Sequence, residues 1–210
     1  FDELTLKNWS LTHEQLDQIA NLVNHNTRVI EIKGGEPLYD KRFEYFVNAV
    51  LEKNPEVKIH TNTNGIHFNK KTINVLNKIR RLNIDVSFDG TGKIYEWIRS
   101  SKWDNAVSSF EYALQHLRHT PNLNYTTMMY NVDHFEEYYN WAADIAEKYN
   151  RNLPIHFTQV VNSPRHIGPE FAEKSRIKHG IEQLERIYED PRQAGASSSS
   201  IYQPRIITMI

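Results

Sequence analysis

Short runs of β-branched and aromatic residues recur along the chain at Val29–Lys33, Val57–Thr61, Ile84–Phe88, Leu123–Tyr130 and Pro154–Val161. A longer segment with helical periodicity separates each run from the next. Strands alternating with helices in this way predict an α/β fold built of βαβ units around a parallel sheet.

The helical segments carry start signals as well as stripes. Before the first strand, Thr12 with Gln15 three residues on makes a capping box, Leu11 and Leu16 occupy staple positions, and Leu16, Ile19, Ala20 and Val23 form one apolar line. Asp40 is placed to cap a second helix with Phe43, Phe46, Val47, Val50 and Leu51 inward, stopped by Asn54-Pro55. Asn69 opens a third with Ile73, Leu76 and Ile79. Asp104 begins a fourth carrying Val107, Phe110, Ala113, Leu114 and Leu117. Asp133 and Glu136 read as a capping pair for a fifth with Phe135, Ala142, Ile145 and Tyr149. A sixth presents Ile177, Ile181, Leu184 and Tyr188. At these spacings the apolar residues read as core, not as site.

Length and composition fit one sizeable core: 210 residues, 39% apolar and 11% aromatic. Domain organisation reads as a barrel unit over 1–190, a flexible linker over 191–200 rich in Ser, Gly and Pro, and a short strand or tail over 201–210. No internal repeat stands out. A formal net charge of -1 with interspersed signs offers no field for nucleic acid or an anionic membrane surface. No apolar run reaches the roughly 20 residues needed to cross a bilayer, and the opening FDELTLKNWS lacks the features of a secretory signal. A cytoplasmic protein is the expectation. There is no cysteine, so disulfides and thiolate metal sites cannot form within these residues.

Candidate chemistry is sought at the carboxyl ends of the strands, where the loops of a parallel α/β sheet converge. All five ends are polar: Gly34-Gly35-Glu36, Asn62-Thr63-Asn64-Gly65, Ser87-Phe88-Asp89-Gly90, Thr126–Asn131, and Thr158-Gln159 with Asn162. The asymmetry with the opposite ends favours a single polar site on one face. In Gly34-Gly35-Glu36-Pro37 the glycines let the backbone approach a ligand, Glu36 supplies a carboxylate, and Pro37 stiffens the exit. An ordinary strand-to-helix turn reads the same way. Asn62 and Asn64 before Gly65, and Asp89 before Gly90, are also common turn residues. Arg99 is either a surface ion-pair partner or a fork for a ligand carboxylate. His60 and His156 with Glu36 allow a metal-dependent barrel hydrolase, but no closely spaced histidine pair supports a metal centre, and no metal ligand is assigned.

In order, EIKGGEPL (31–38), TNTNGI (61–66) and VSFDGTGKIYEWIR (86–99) resemble the second, third and fourth strand motifs of radical S-adenosylmethionine (SAM) enzymes. The phrase SFDGTGKIYEWIR followed by WDNAVSSFEYAL looks most like the branch with a twitch domain. The resemblance covers roughly Val29 to Ser163 and implies a six-stranded β/α partial barrel. It implies that Gly34, Gly35 and Glu36 receive the SAM amino group, that Ser87 and Arg99 hold its carboxylate, and that Asn62, Asn64 and Asp89 lie near the ribose or the substrate. It implies a 4Fe-4S cluster beside SAM, a 5′-deoxyadenosyl radical as the reactive species, and a peptide or protein as substrate.

The family holds its cluster on three cysteines in a CxxxCxxC loop after the first strand, and this chain has none. The chain starts about thirty residues before Gly34, with Phe rather than Met. The first strand and cluster loop are therefore expected upstream of Phe1, and the Val29–Lys33 strand is expected to present an open edge. The other reading is a cluster-free relative that keeps the barrel for binding or as a scaffold.

Overall fold

The computed structural model describes residues 10–159, 165–190 and 192. Its centre is a five-stranded, all-parallel sheet in the order β1-β2-β3-β4-β5: Val29–Ile32, Lys58–Thr63, Arg81–Ser87, Asn122–Thr127 and Ile155–Gln159. Strictly sequential order follows from crossovers of one hand, and it directs the connecting helices to the same side of the sheet. The fold class read from the sequence is the one observed. Six strands were implied and five lie among the described residues, with β1 at one edge and Val29 48% exposed.

Strand register sorts the side chains by face. Ile59, Thr61, Thr63, Ile84, Val86, Leu123, Tyr125, Ile155 and Phe157 are all buried and share the helix-covered side. Their neighbours in sequence alternate onto the other side, because side chains in a strand point to opposite faces. Phe88, just past β3, anchors the helical layer, with ring centroids 5.3 Å from Tyr95, 5.7 Å from Trp103, 5.5 Å from Phe110 and 5.7 Å from Trp141. The fully buried rings of this cluster, Phe88, Tyr95 and Phe110, each contribute on the order of 2 kcal/mol by removal from water.

The helices are α1 His13–Asn21, α2 Phe43–Lys53, α3 Lys70–Leu76, α4 Gly92–Arg99, α5 Trp103–His116, α6 Phe135–Tyr149 and α7 Lys174–Glu189. The Thr12–Gln15 capping box and the Asn69 cap form as expected. Ile19 does not join its stripe and is 39% exposed. Asp40 does not cap α2; the cap is Arg42, whose backbone N–H and guanidinium both donate to Asp40 in a local turn. The fourth predicted helix is α5, which Lys102 and not Asp104 caps, and a separate short helix that was not predicted, α4, precedes it. A short α4 carries Tyr95 to Arg99, a left-handed Ser100 breaks it, and α5 starts at Trp103 with Lys102 as its cap.

The largest departure from the expected caps is at α6. Neither Asp133 nor Glu136 caps it: Asp133 binds Arg176 through both carboxylate oxygens, at 2.8 and 2.6 Å, and Glu136 pairs with Arg186. Gln183 of α7 supplies the missing acceptor, taking the N–H groups of Phe135 and Glu136 at 2.9 and 3.2 Å, and donates to the Asp133 carbonyl. Arg176 also donates to the carbonyls of Met129 and Tyr130. A helix distant in sequence thus holds the loop between β4 and α6. Gly180 lets α7 come this close, since a Cβ there would stand 1.9 Å from the Val132 carbonyl oxygen. Tyr188, expected inward, is 70% exposed, and Ile187 takes the buried position. The linker and tail over 191–210 lie outside the described residues, apart from Arg192.

Arg176 holds the Asp133 carboxyl below the usual carboxylate range. The unfolded chain therefore takes up this proton first on acidification, so the pair's contribution is complete above about pH 4 and fades as pH falls further. Arg176→Ala is expected to cost about 1 to 2 kcal/mol at neutral pH, the pair being partly solvated. In urea denaturation the difference from the wild type should shrink as the pH is taken below 4, and a constant difference would refute the assignment.

Candidate functional site

The sheet's second face has no helix of the β1–β5 crossovers on it, and its side chains are polar in every strand. Register places Glu31 beside His60 and Asn83, Asn62 beside Asp85 and Asn122, Ser87 beside Asn124 and His156, and Thr126 beside Thr158. An all-parallel sheet covered on both faces has near-continuous apolar strands. Here KIHTNT, RLNIDVS and NLNYTT alternate instead, and that alternation marks one face as open. Within it, His60 Nε2 lies 2.8 Å from Asp85 Oδ2, and Asn122 donates to both Asp85 Oδ1 and Asn83 Oδ1 at 2.8 Å. Glu31, Asp85, Asn83, Asn122 and Asn124 were not among the residues singled out from the sequence. Their signal was period-2 polarity inside the strands, which a reading confined to strand ends passes over.

At the carboxyl ends, Gly34 and Gly35 both adopt positive φ, +98° and +57°, and a Cβ on either would meet nothing within 4 Å. The backbone here is bare and open, beside a cavity of about 350 Å³ lined by Ile32, Gly34, Gly35, Glu36, Phe43 and Phe46 among others. Glu36 is already engaged. Its Oε1 accepts from the Thr63 hydroxyl at 2.7 Å and the Leu38 amide at 3.2 Å, and its Oε2 accepts from the Asn64 amide at 2.7 Å. The carboxylate thus ties the end of β1 to the end of β2, with lone pairs remaining for a ligand cation. Asn64 spends its side chain on a turn, accepting from the Ile66 amide at 3.1 Å. Asn62 does not: its Oδ1 is buried without a partner.

Asp89 is the most buried carboxylate in this region, its side chain 3% exposed. It lies 2.5 Å from Arg99 Nη2 and accepts the Thr126 amide at 2.8 Å. Burial pushes the Asp89 carboxyl up, opposed by Arg99 and by the Thr126 N–H. Arg99 is half-buried and its Nε has no partner, so one face of the guanidinium is committed to Asp89 and another donor is not. Buried Asn131 holds the same corner, donating to the carbonyls of Asp89 and Thr126 at 2.9 Å each. Ser87 lies on the open face, next to Asn124.

Among the described residues, no group of three His, Asp or Glu could hold a metal ion. His60 and His156 stand on β2 and β5, three strands apart, and Glu36 is held by donors of its own chain.

Residues 3–142 match the radical SAM superfamily. The chain belongs to that superfamily. No curated protein sequence matches it. Among solved structures it is similar to Streptococcus suis SuiB bound to S-adenosylmethionine, at 15% identity and a TM-score of 0.57, covering 80% of this chain and 38% of that one. It is similar to anSMEcpe with bound AdoMet at 13% identity and a TM-score of 0.64, covering 93% and 56%. A domain of pyruvate-formate lyase-activating enzyme from Bacteroides vulgatus matches at 12% and 0.51, covering 75% and 92%. These likenesses show the shared fold, an α/β parallel sheet of the radical SAM partial-barrel kind. The chain spans 38% of SuiB and 56% of anSMEcpe.

The Glu36 brace can be broken without touching the core. Glu36→Ala is expected to cost about 1 to 3 kcal/mol, because three donors lose their acceptor. Hydrogen exchange should accelerate at the Leu38 and Asn64 amides while β4 stays protected. Unchanged exchange at Asn64 would show that Glu36 carries no structural load.

Proposed function

We propose that this chain is the SAM-holding part of a radical SAM enzyme acting on a peptide. The observation that carries the reading is the bare, positive-φ Gly34-Gly35 backbone facing open space at the end of β1; two buried polar atoms of opposite kind also lack partners, Asn62 Oδ1 on β2 and Arg99 Nε beside Asp89 after β3. Gly34 and Gly35 carbonyls with the Glu36 carboxylate receive the amino group. Ser87 and Arg99 receive the carboxylate, and Asp89 serves Arg99 as a counterion that aims it. Asn62 and Asn64 border the ribose. One electron from a reduced 4Fe-4S cluster would break the sulfonium carbon–sulfur bond of SAM, releasing methionine and a 5′-deoxyadenosyl radical.

The residues fit SAM and do not fit the cluster. With no cysteine in the sequence, the thiolates must come from outside these 210 residues, and no redox step is assigned to them. Lack of cysteine also favours a second reading, a cluster-free SAM-binding or scaffold relative. A peptide substrate is supported by the neighbours: SuiB is recorded bound to precursor peptide SuiA, and anSMEcpe with AdoMet together with a peptide. The twitch-bearing branch is supported by the run from Ser87 to Leu114, which forms the end of β3, then α4 and most of α5.

If the amino-acid end of SAM is what the chain grips, SAM and S-adenosylhomocysteine should both give saturable NMR shifts at Gly34 and Gly35. Methylthioadenosine, which lacks the ammonium and the carboxylate, should bind at least about tenfold more weakly, the loss of one or more charge-assisted hydrogen bonds. Equal responses to all three compounds, or none to SAM, would overturn the reading. Reconstitution of the full-length protein with iron and sulfide separates the two forms: deoxyadenosine release supports the radical enzyme, and SAM binding without cleavage supports the cluster-free relative.

A further inference from the structure

The carboxyl-end rim carries an exposed aromatic pair that the proposed SAM contacts do not use. Trp97 on α4 is 61% exposed, and its ring centroid lies 4.3 Å from that of half-buried Tyr130, in the loop between β4 and α6, at an interplanar angle of 68°. Both rings are tied to the Asp89 corner. Arg99, two residues past Trp97, pairs with the Asp89 carboxylate at 2.5 Å, and Asn131, next to Tyr130, donates to the Asp89 carbonyl at 2.9 Å. The Tyr130 side is fixed a second time, because Arg176 donates to its carbonyl and to that of Met129 at 3.0 Å each. Rings left in water on a frame already held in place have the make-up of a binding hot spot, since Trp and Tyr bury much area on contact for little lost side-chain freedom.

Charge decides what such a platform takes. Lys93 precedes Trp97 by one turn on the same face of α4, so their Cβ atoms stand about 5 to 6 Å apart. Lys93 is exposed and makes no ion pair among the described residues. The acids around it are spent. Glu96 holds Lys102 at 3.5 Å and the Trp103 amide at 3.2 Å, Asp89 holds Arg99, and Glu137 takes the Thr91 hydroxyl and His134. An uncompensated ammonium beside two bare rings repels a second cation and complements a carboxylate.

We propose that Trp97, Tyr130 and Lys93 form a docking site for a substrate peptide that carries an aromatic or large aliphatic side chain two residues from a carboxylate. In an extended peptide two such side chains point the same way about 7 Å apart, which suits the spacing of Trp97 and Lys93. The apolar side chain covers the rings and the carboxylate reaches the ammonium. The proposal rests on the reading of a peptide as substrate. Because the Asp89–Arg99 pair anchors both halves of the platform, a peptide docked there borders the place given to the SAM carboxylate.

The test titrates the whole chain at low ionic strength with acetyl-Glu-Gly-Phe-Gly-Glu-amide, which offers an acid on either side of the ring, following the Trp97 indole N–H and the Tyr130 ring by NMR. Both should shift saturably. Replacing Phe by Ala in the peptide should weaken binding at least about fivefold, and replacing both Glu by Gln about threefold. Trp97→Ala, read at Tyr130, should abolish the preference for Phe over Ala. Lys93→Gln should abolish the preference for Glu over Gln and leave the Gln peptide unchanged. Both positions are exposed, and amide dispersion checks the fold. Equal affinity for the Phe and Ala peptides, or an undiminished Glu preference in Lys93→Gln, would overturn the site. Displacement of the peptide by methylthioadenosine would assign the rings to the adenine and overturn it too. SAM reports separately at Gly34 and Gly35. A response there without a peptide response at Trp97 sinks the docking site alone, and the converse sinks the SAM reading alone.

Discussion

Every feature of this molecule follows from one topological constraint: five parallel strands in sequential order, joined by crossovers of one hand, send their helices to one side of the sheet. One face is therefore dry and the other is not. On the dry face Val86, Leu123 and Tyr125 are fully buried against helices anchored by the Phe88 cluster. On the other, charged and amide side chains stand in rows at little cost, because water or a ligand satisfies them. The same chain would be unstable in a doubly wound sheet, where His60, Asp85 and Asn122 would be buried under a second helical layer.

Around the carboxyl ends, the chain commits most of its polar groups to holding loops in place. Glu36 joins two strand ends, Asp89 fixes Arg99 and the Thr126 amide, Asn131 binds the same corner, and Arg176 with Gln183 holds the β4–α6 loop. Among the described residues the buried polar atoms left without a partner are Asn62 Oδ1, Arg99 Nε, Thr127 Oγ1 and the hydroxyls of Tyr95 and Tyr138, and the Gly34 and Gly35 backbones face open space. Rigid surroundings with a small set of uncommitted groups are what a binding site for a zwitterionic cofactor requires, since little ordering remains to oppose binding.

How legible the fold was depends on how local the determinants are. Strand positions, the Thr12 box and the Asn69 cap were readable, because each is set within a few residues. The cap of α6 was not. Asp133 and Glu136 have the right spacing, but Arg176 and Arg186 outbid the helix for their carboxylates and Gln183 replaces them from 48 residues away. Asp40 was diverted in the same way by Arg42. Tyr188 and Ile187 exchanged places because α7 packs on a loop and on α6, not on the sheet, so its buried stripe is rotated. The site was legible as a set of strand ends and not as a set of roles: nothing in GGEP distinguishes a free Glu36 from one that already braces Thr63 and Asn64.

By itself the sequence determined the alternation of strand and helix, the parallel α/β class, the polar strand ends and the ordered motifs of the superfamily, because these are properties of spacing and side-chain chemistry. It also determined that these residues bring no thiolate. Tertiary structure alone decided that Glu31, His60 and Asp85 meet across three strands, that Asp89 faces Arg99, and that Asn62 keeps a free oxygen while Asn64 does not. Those outcomes hinge on register and on which donors arrive from distant segments, and neither is encoded in any short stretch of the chain.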